Sequence, residues 1–311
     1  MVGSGRHASV RAGGQYPRGG ACFLPTSLAA SAQRGGGWGG RPAPSQWRGH
    51  IANGGILSLD SSLTSGGNQT LGGTATINLN DAGARLAIDG TGATALGSNV
   101  VVRGQGNIGT AINVAGNNLL TNNGLISADV SGGTLNITAP ASGGGSSFIN
   151  NGTLRAINGA SLLLSTNITS NTGSQIVAGA GSSVVQNGVT LNGVINASGT
   201  GVFTAVSSAS NVLNGVNFTG TLDLTSISNS RERIANGATI NGAVNIANGG
   251  ILSLDSSLTS GGNQTLGGTA TINLNDAGAR LARAPRRWAR TSSCAGRAIS
   301  AQPSTSLATT C

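Results

Sequence analysis

Short runs of alternating aliphatic and polar residues recur along the chain: Leu57-Ser58-Leu59-Asp60, Ile77-Asn78-Leu79-Asn80, Leu135-Asn136-Ile137-Thr138 and Leu222-Asp223-Leu224-Thr225. Alternation sends the aliphatics to one face of an extended segment and the polar residues to the other, so these runs predict half-buried β-strands rather than helices. They are separated by Asn- and Gly-rich corners. Asn-Gly pairs are also strong hairpin signals, which makes an antiparallel sandwich the structural competitor.

The spacing of the corners separates the two architectures. Leu191-Asn192-Gly193-Val194 returns as Leu213-Asn214-Gly215-Val216, and Asn236-Gly237 follows at the same interval. Asn171 and Asn151 extend the series backwards in slightly shorter steps. A nearly constant step of about 20 residues predicts solenoid coils, each burying its apolar face on its neighbours, whereas a stack of hairpins would repeat sooner. A second, longer repeat lies over the first: residues 51–87 recur unchanged as 246–282. Identity that complete, where many polar substitutions are tolerable, indicates a recent duplication.

Composition divides the chain into three parts. All 17 basic residues are Arg, six in 1–50, six in 51–282 and five in 283–311, and all eight acids lie in 51–282. The flanks therefore carry net charges of +6 and +5 and the middle −2. Every Cys, Trp and Tyr also falls in a flank, while the middle has only Phe148, Phe203 and Phe218 as aromatic mass. The expected organisation is a repeat domain over 51–282 between a disordered Gly/Arg-rich segment, 1–50, and a disordered tail, 283–311. Without Cys, the repeat domain has neither a disulfide framework nor a thiolate metal site. No run approaches the ~18 apolar residues of a membrane-spanning helix.

The acids available for catalysis are Asp60, Asp81, Asp89, Asp129, Asp223, Glu232, Asp255 and Asp276, and they are scattered; Asp255 and Asp276 are the duplicates of Asp60 and Asp81. The middle segment has no Lys, His or Tyr to complete a site, since His7 and His50 both lie in the first flank. Solvated strand-face or turn acids are the expectation, and no catalytic, cofactor or metal residue is assigned. Arg231-Glu232-Arg233 is the one charged cluster, expected on a loop between coils as a solvated ion pair of little energetic weight. Gly132-Gly133 lacks the Lys of a phosphate-binding loop, and Gly143-Gly144-Gly145 reads as an outward loop. Thr74 with Thr76, and Thr134 with Thr138, do not recur at one position in every coil, so no regular threonine face is expected.

Asn123-Gly124-Leu125-Ile126, Asn151-Gly152-Thr153-Leu154 and Gly132-Gly133-Thr134-Leu135-Asn136-Ile137 resemble the passenger regions of bacterial autotransporters and filamentous-haemagglutinin-like exoproteins. The resemblance covers 51–282 and is one of style rather than of a specific motif. It implies an all-β fold, a right-handed parallel β-helix, secreted or displayed on a bacterial surface and non-enzymatic, with a structural or adhesive role. The implied partners are ligands on host or neighbouring cells rather than nucleic acid, and the implied parent is linked to an outer-membrane translocator; a C-terminal translocating β-barrel is not part of this sequence. Because fold does not establish function, a polysaccharide-degrading β-helix enzyme is the alternative. Three acids stacked on one exposed face would favour the enzyme, and ladders of Asn, Ser and Thr the structural protein.

The tail has an origin of its own. Synonymous codons for Thr91 to Leu119 can be chosen so that, read one base late, they encode the whole of 283–311: Leu96 and Gly97, as CTG and G, give the TGG of Trp288. The next shifted codon, from Leu120 as CTG and the A of Thr121, would be TGA, a stop. The expectation is a frame-changing deletion after the second repeat copy and a longer parent, which leaves the Arg-rich tail without an evolved nucleic-acid or membrane role. In the first flank, Arg6, Arg11 and Arg18 precede an apolar run from Ala21 to Ala30, but Pro25 interrupts it, which weighs against a signal peptide.

Overall fold

The computed structural model describes residues 21–23, 47–63, 67–112, 119–138, 147–197, 200–259 and 264–283. Gly143-Gly144-Gly145 and most of the two flanks lie outside the described residues. Among the described residues twenty-four strands form one continuous sheet system, and every strand pair in it is parallel. The molecule is therefore a β-solenoid, and the antiparallel sandwich is excluded.

Each turn contributes three strand segments to three stacked faces. On the first face Trp47–Ile51 pairs with 75–79, which pairs with 100–104, and Leu125–Ala128, Thr153–Ala156 and Gln175–Ala178 follow. The second face runs from Ala21–Phe23 and Ile56–Asp60 through 85–89, 107–109, Thr134–Thr138, Ser161–Ser165, Ser183–Gln186 and Val202–Ala205 to Thr271–Leu274. The third runs from Gln69–Leu71 through Ala93–Leu96, Leu119–Asn122, Ser147–Asn150 and Ile168–Ser170 to Ile251–Leu254 and Arg280–Arg283. The four alternating runs seen in the sequence all lie in strands of these stacks, except Thr225, which follows the end of Val212–Leu224. The sheet system also takes in Ala21–Phe23, paired with 56–58, and Trp47–Ile51, so Trp47 and His50 lie on a strand of the solenoid.

Asn-Gly corners show why the hairpin signal misdirects. At 52–55 the Gly55 amide donates to the Ala52 carbonyl at 3.0 Å, with Asn53 at φ 56° and Gly54 at φ 68°. Two consecutive left-handed residues are the geometry that Asn-Gly favours in a tight turn. The local turn is the expected one. The strands it joins, however, lie on different faces and bond to the coils above and below instead of to each other.

The core is a set of aliphatic columns. Leu135, Leu162, Val184, Phe203, Leu222 and Val244 lie in register on the second face, each fully buried. Phe148 stands in the corresponding third-face column between Leu120 and Ile168. Phe203 meets Phe218 edge-on across the interior, with ring centroids 5.5 Å apart and planes at 85°, a favourable quadrupole arrangement. Each side chain is thus covered mainly by its equivalents one turn away, as one-dimensional stacking requires.

Turn length is less regular than the corner spacing suggests. The steps from Leu191 to Leu213 and from Leu213 to Ile234 are nearly equal, but the step from Val184 to Phe203 is shorter and that from Ile56 to Arg85 much longer. The variation is absorbed between strands, where extra residues need not enter the core. The corner series read from sequence is also two ladders rather than one. Asn171 donates to Asn151 at 2.7 Å and Asn151 to Asn123 at 2.8 Å, while Asn236 donates to Asn214 at 2.6 Å and Asn214 to Asn192 at 2.5 Å. Asn192 is in register with Thr169, not Asn171, so the two ladders run along different lines of the third face.

Candidate functional site

The outer side of the second face carries a patterned polar surface. Its strands alternate inward aliphatics with outward residues that are mostly hydroxyl or amide, Leu163 and Val185 being the aliphatic exceptions, and several of the polar ones meet across turns. The Ser165 hydroxyl donates to Asn136 Oδ1 at 2.9 Å, and Asn187 Nδ2 donates to Ser165 Oγ at 3.1 Å. Asn136 Nδ2 reaches Asn107 Oδ1 at 3.5 Å, and Ser183 Oγ lies 3.2 Å from Ser161 Oγ. Thr110 and Thr138 pair at 2.6 Å, but the next outward residues of that column are Ser165 and Asn187, so no continuous threonine face forms. These ladders stack Asn, Ser and Thr side chains from turn to turn.

Beside this face the corners containing Gly132, Gly159 and Gly181 stack into a shallow groove of about 250 Å³ that also involves Ser182 and Thr200. The corners are tied across turns: Gly159 N donates to Ser182 Oγ at 2.9 Å and Gly181 N to Thr200 Oγ1 at 3.0 Å. Gly132-Gly133, singled out in the sequence, is therefore a corner of this groove. Its lining is uncharged. Hydroxyls and backbone groups there can exchange hydrogen bonds with a neutral ligand but supply no general acid or base.

The acids are distributed as turn formers and buried anchors. Asp60 Oδ1 accepts from the Ser62 amide at 2.9 Å, Asp223 Oδ1 from the Thr225 amide at 3.0 Å, and Asp255 Oδ1 from the Ser257 amide at 3.0 Å. Each closes the same Asx turn at the end of a strand. Asp81 Oδ1 accepts from Gly83 N and Asp276 Oδ1 from Gly278 N, both at 2.8 Å. Asp129 is bound by Arg103 Nε at 2.8 Å. Asp60 and Asp89 lie in register on neighbouring strands, yet Asp89 is fully buried and accepts from Ser58 and from the Ile112 amide. The expectation of solvated acids thus fails at Asp60, Asp89, Asp223, Glu232 and Asp255, all of them buried. Strand ends next to corners are covered by the neighbouring turn, and hydroxyl and amide donors there meet the oxygens of Asp60, Asp89, Asp223 and Asp255.

Arg231-Glu232-Arg233 does not lie on a loop. It opens the strand Arg231–Ile246, directly after the turn in which Asn229 takes φ 54°. Strand alternation then points Arg231 and Arg233 outward and Glu232 into the core, above Val212–Leu224 and below Leu252. Glu232 Oε1 accepts from the Arg233 amide at 3.2 Å, and its Oε2 has no hydrogen-bond partner among the described residues. Burial pushes this carboxyl well above the usual carboxylate range, against the smaller opposing effect of the Arg233 and Leu213 amides. Arg233 binds Asp255 Oδ2 through Nε at 2.9 Å and Nη2 at 2.6 Å. Burial pushes the Asp255 carboxyl upward, but the Ser257 and Arg233 bonds and the Arg233 charge together hold it below the ordinary value.

Sequence reasoning missed a buried polar column on the third face. Asn122 Nδ2 donates to Asn150 Oδ1 at 2.9 Å, and Asn150 Nδ2 reaches Ser170 Oγ at 3.5 Å, with Asn122 and Asn150 fully buried. The signal was the doubling in Asn122-Asn123-Gly124 and Asn150-Asn151-Gly152, where the first Asn turns inward and the second stays at the corner. Among the described residues no three His, Cys, Asp or Glu side chains come together to hold a metal ion, and no helix is long and apolar enough to cross a membrane. His7, Cys294 and Cys311 lie outside the described residues. No protein-family model, curated protein or solved structure matches the chain.

Proposed function

We propose that this β-solenoid is a structural and adhesive repeat segment, without catalytic activity, of a protein secreted to or displayed on a bacterial surface. The autotransporter-like and haemagglutinin-like style of its corners supports the surface setting. The observation that carries the adhesive reading is the stretch of the second face from Asn107 to Asn187, an uncharged array of hydroxyl and amide groups that flanks the outward Leu163 and Val185 and is tied diagonally from turn to turn through Asn136 and Ser165. Such an array suits neutral hydroxylated polymers on host or neighbouring cells, recognised by many weak hydrogen bonds along a stiff rod.

Binding of this kind does not depend on counter-ions, so it should persist at high salt. The experiment is retention of the full chain on immobilised neutral glycans and on whole cells, between low salt and 1 M salt, beside a variant carrying Asn136→Arg and Val185→Arg on the same face. The reading predicts salt-independent retention that the variant loses. Retention abolished by salt, or equal in the variant, would reject this face; release of reducing ends from any of the glycans would reject the non-enzymatic reading.

A further inference from the structure

The strands Thr271–Leu274 and Arg280–Arg283 form the last described edge of the solenoid. They pair with 243–246 and with Ile251–Leu254 on one side, and no described strand lies on the other. Leu274 is 49% exposed and Leu281 38% exposed, large values for aliphatic residues on adjoining strands. The sequence of this edge also occurs elsewhere in the same molecule, because 271–282 is identical to 76–87. There the equivalents Leu79 and Leu86 are fully buried.

What buries them is one ten-residue strand, Val100–Gly109. It bends around the corner and covers both segments, with Thr76 opposite Val101, Leu79 opposite Gly104, Arg85 opposite Asn107 and Leu86 opposite Ile108. Gln105 Nε2 donates to the Asn80 carbonyl at 3.4 Å and Asn107 Nδ2 to the Ala82 carbonyl at 3.2 Å, closing the corner between them. Two glycines make the fit possible. A Cβ on Gly104 would overlap the Leu79 carbonyl oxygen, and one on Gly106 would overlap that of Ala84. Both also take positive φ, 115° and 134°, where a side chain is strained.

We propose that the edge at 271–283 is a strand-docking surface, and that its occupant is an extended segment from another polypeptide with the sequence pattern of Val100–Gly109. The segment docks in parallel, with its Val101, Gly104, Asn107 and Ile108 equivalents opposite Thr271, Leu274, Arg280 and Leu281. Main-chain hydrogen bonds provide the attachment, Leu274 and Leu281 take up the aliphatic positions, and the two glycines set the selectivity. The inference stands on the duplicated edge and not on the adhesive reading.

The test uses the full chain and a fluorescein-labelled peptide of residues 98–109, followed by fluorescence anisotropy. Saturable binding is expected, at least tenfold weaker for the peptide carrying Gly104→Val and Gly106→Val, and at least tenfold weaker for the chain carrying Leu274→Lys and Leu281→Lys. Sedimentation of the chain alone is measured alongside. Absence of binding, equal binding of the valine-substituted peptide, or self-association lost in the Leu274→Lys chain would overturn the proposal, the last by making a second copy the occupant.

Discussion

Residues 51–87 and 246–282 have one sequence and two environments. Their internal register is the same: Ile51 pairs with Leu79 as Ile246 does with Leu274, and Ile56 with Arg85 as Ile251 does with Arg280. Their corners also agree, since Asn53 and Asn248 take φ 56° and 53°, and Asp81 and Asp276 cap the same bend. Burial differs in opposite senses at the two ends of the copies. Ile51 and Leu57 are 8% and 7% exposed where Ile246 and Leu252 are fully buried, whereas Leu79 is fully buried where Leu274 is 49% exposed. The first copy has a turn stacked after it and the second a turn stacked before it.

Even strand continuity follows the neighbour. Ala75–Asp89 is one strand of 15 residues through its corner, while the same sequence later divides into Thr271–Leu274 and Arg280–Arg283. The copies also sit on different faces: 47–51 is on the first face and 243–246 is on the second. Local sequence therefore sets turn and register, and the adjacent turn sets burial and stability.

Substitution at equivalent positions is the strongest way to break this comparison. Leu79→Ala should cost about 3 kcal/mol, the range of a buried leucine truncation, and Leu274→Ala less than about 1 kcal/mol, read from denaturant midpoints. Equal losses would mean that the edge is covered as well as the interior.

The turn beneath the second copy supplies the next test. Glu232 faces the core under Leu252, and burial raises its carboxyl pKa. The neutral form is favoured in the fold, so this contribution to stability is complete below the unfolded carboxyl value and is lost as pH rises through the raised folded one. Glu232→Gln should flatten that fall and stabilise the chain at neutral pH by about 1–3 kcal/mol, the scale of a buried polar group relieved of an unmet demand. A denaturation series from pH 4 to pH 8 checks it; an unchanged slope would contradict the inward placement.

A smaller effect is expected from Arg233→Gln. Asp255 is held below its usual pKa with the help of Arg233, so its contribution is present above the unfolded carboxyl value and lost as pH falls through the lowered one. The substitution should cost about 1–2 kcal/mol at neutral pH. It should also move the carboxyl titration of Asp255 upward, as followed by NMR.

Much of this architecture was legible in the sequence. Alternation located Ile56–Asp60 and Thr134–Thr138, and the Asn-Gly corners predicted the left-handed turns at Asn53 and Asn248. Parallel stacking followed from the steps around Leu191 and Leu213. The true turn length did not, because residues added between strands alter the spacing without touching the core. Glu232 misled because charge alone argues for solvent, while its position between two arginines on a strand dictates the opposite. Asn122 and Asn150 were illegible for the same reason: their chemistry matches that of Asn123 and Asn151 at the corners, and only the phase of the strand turns them inward.

The most direct measurement of the central claim is hydrogen exchange followed by mass spectrometry on a peptide that both copies yield, Thr76 to Leu86 and Thr271 to Leu281. A Thr271→Ser substitution, at an exposed position, assigns the mass of the second copy. The account predicts two exchange envelopes of equal area from one sequence, with the interior copy protected and the edge copy fast. A single envelope, or equal protection after mass assignment, would contradict the claim that the neighbouring turn decides the stability of this sequence.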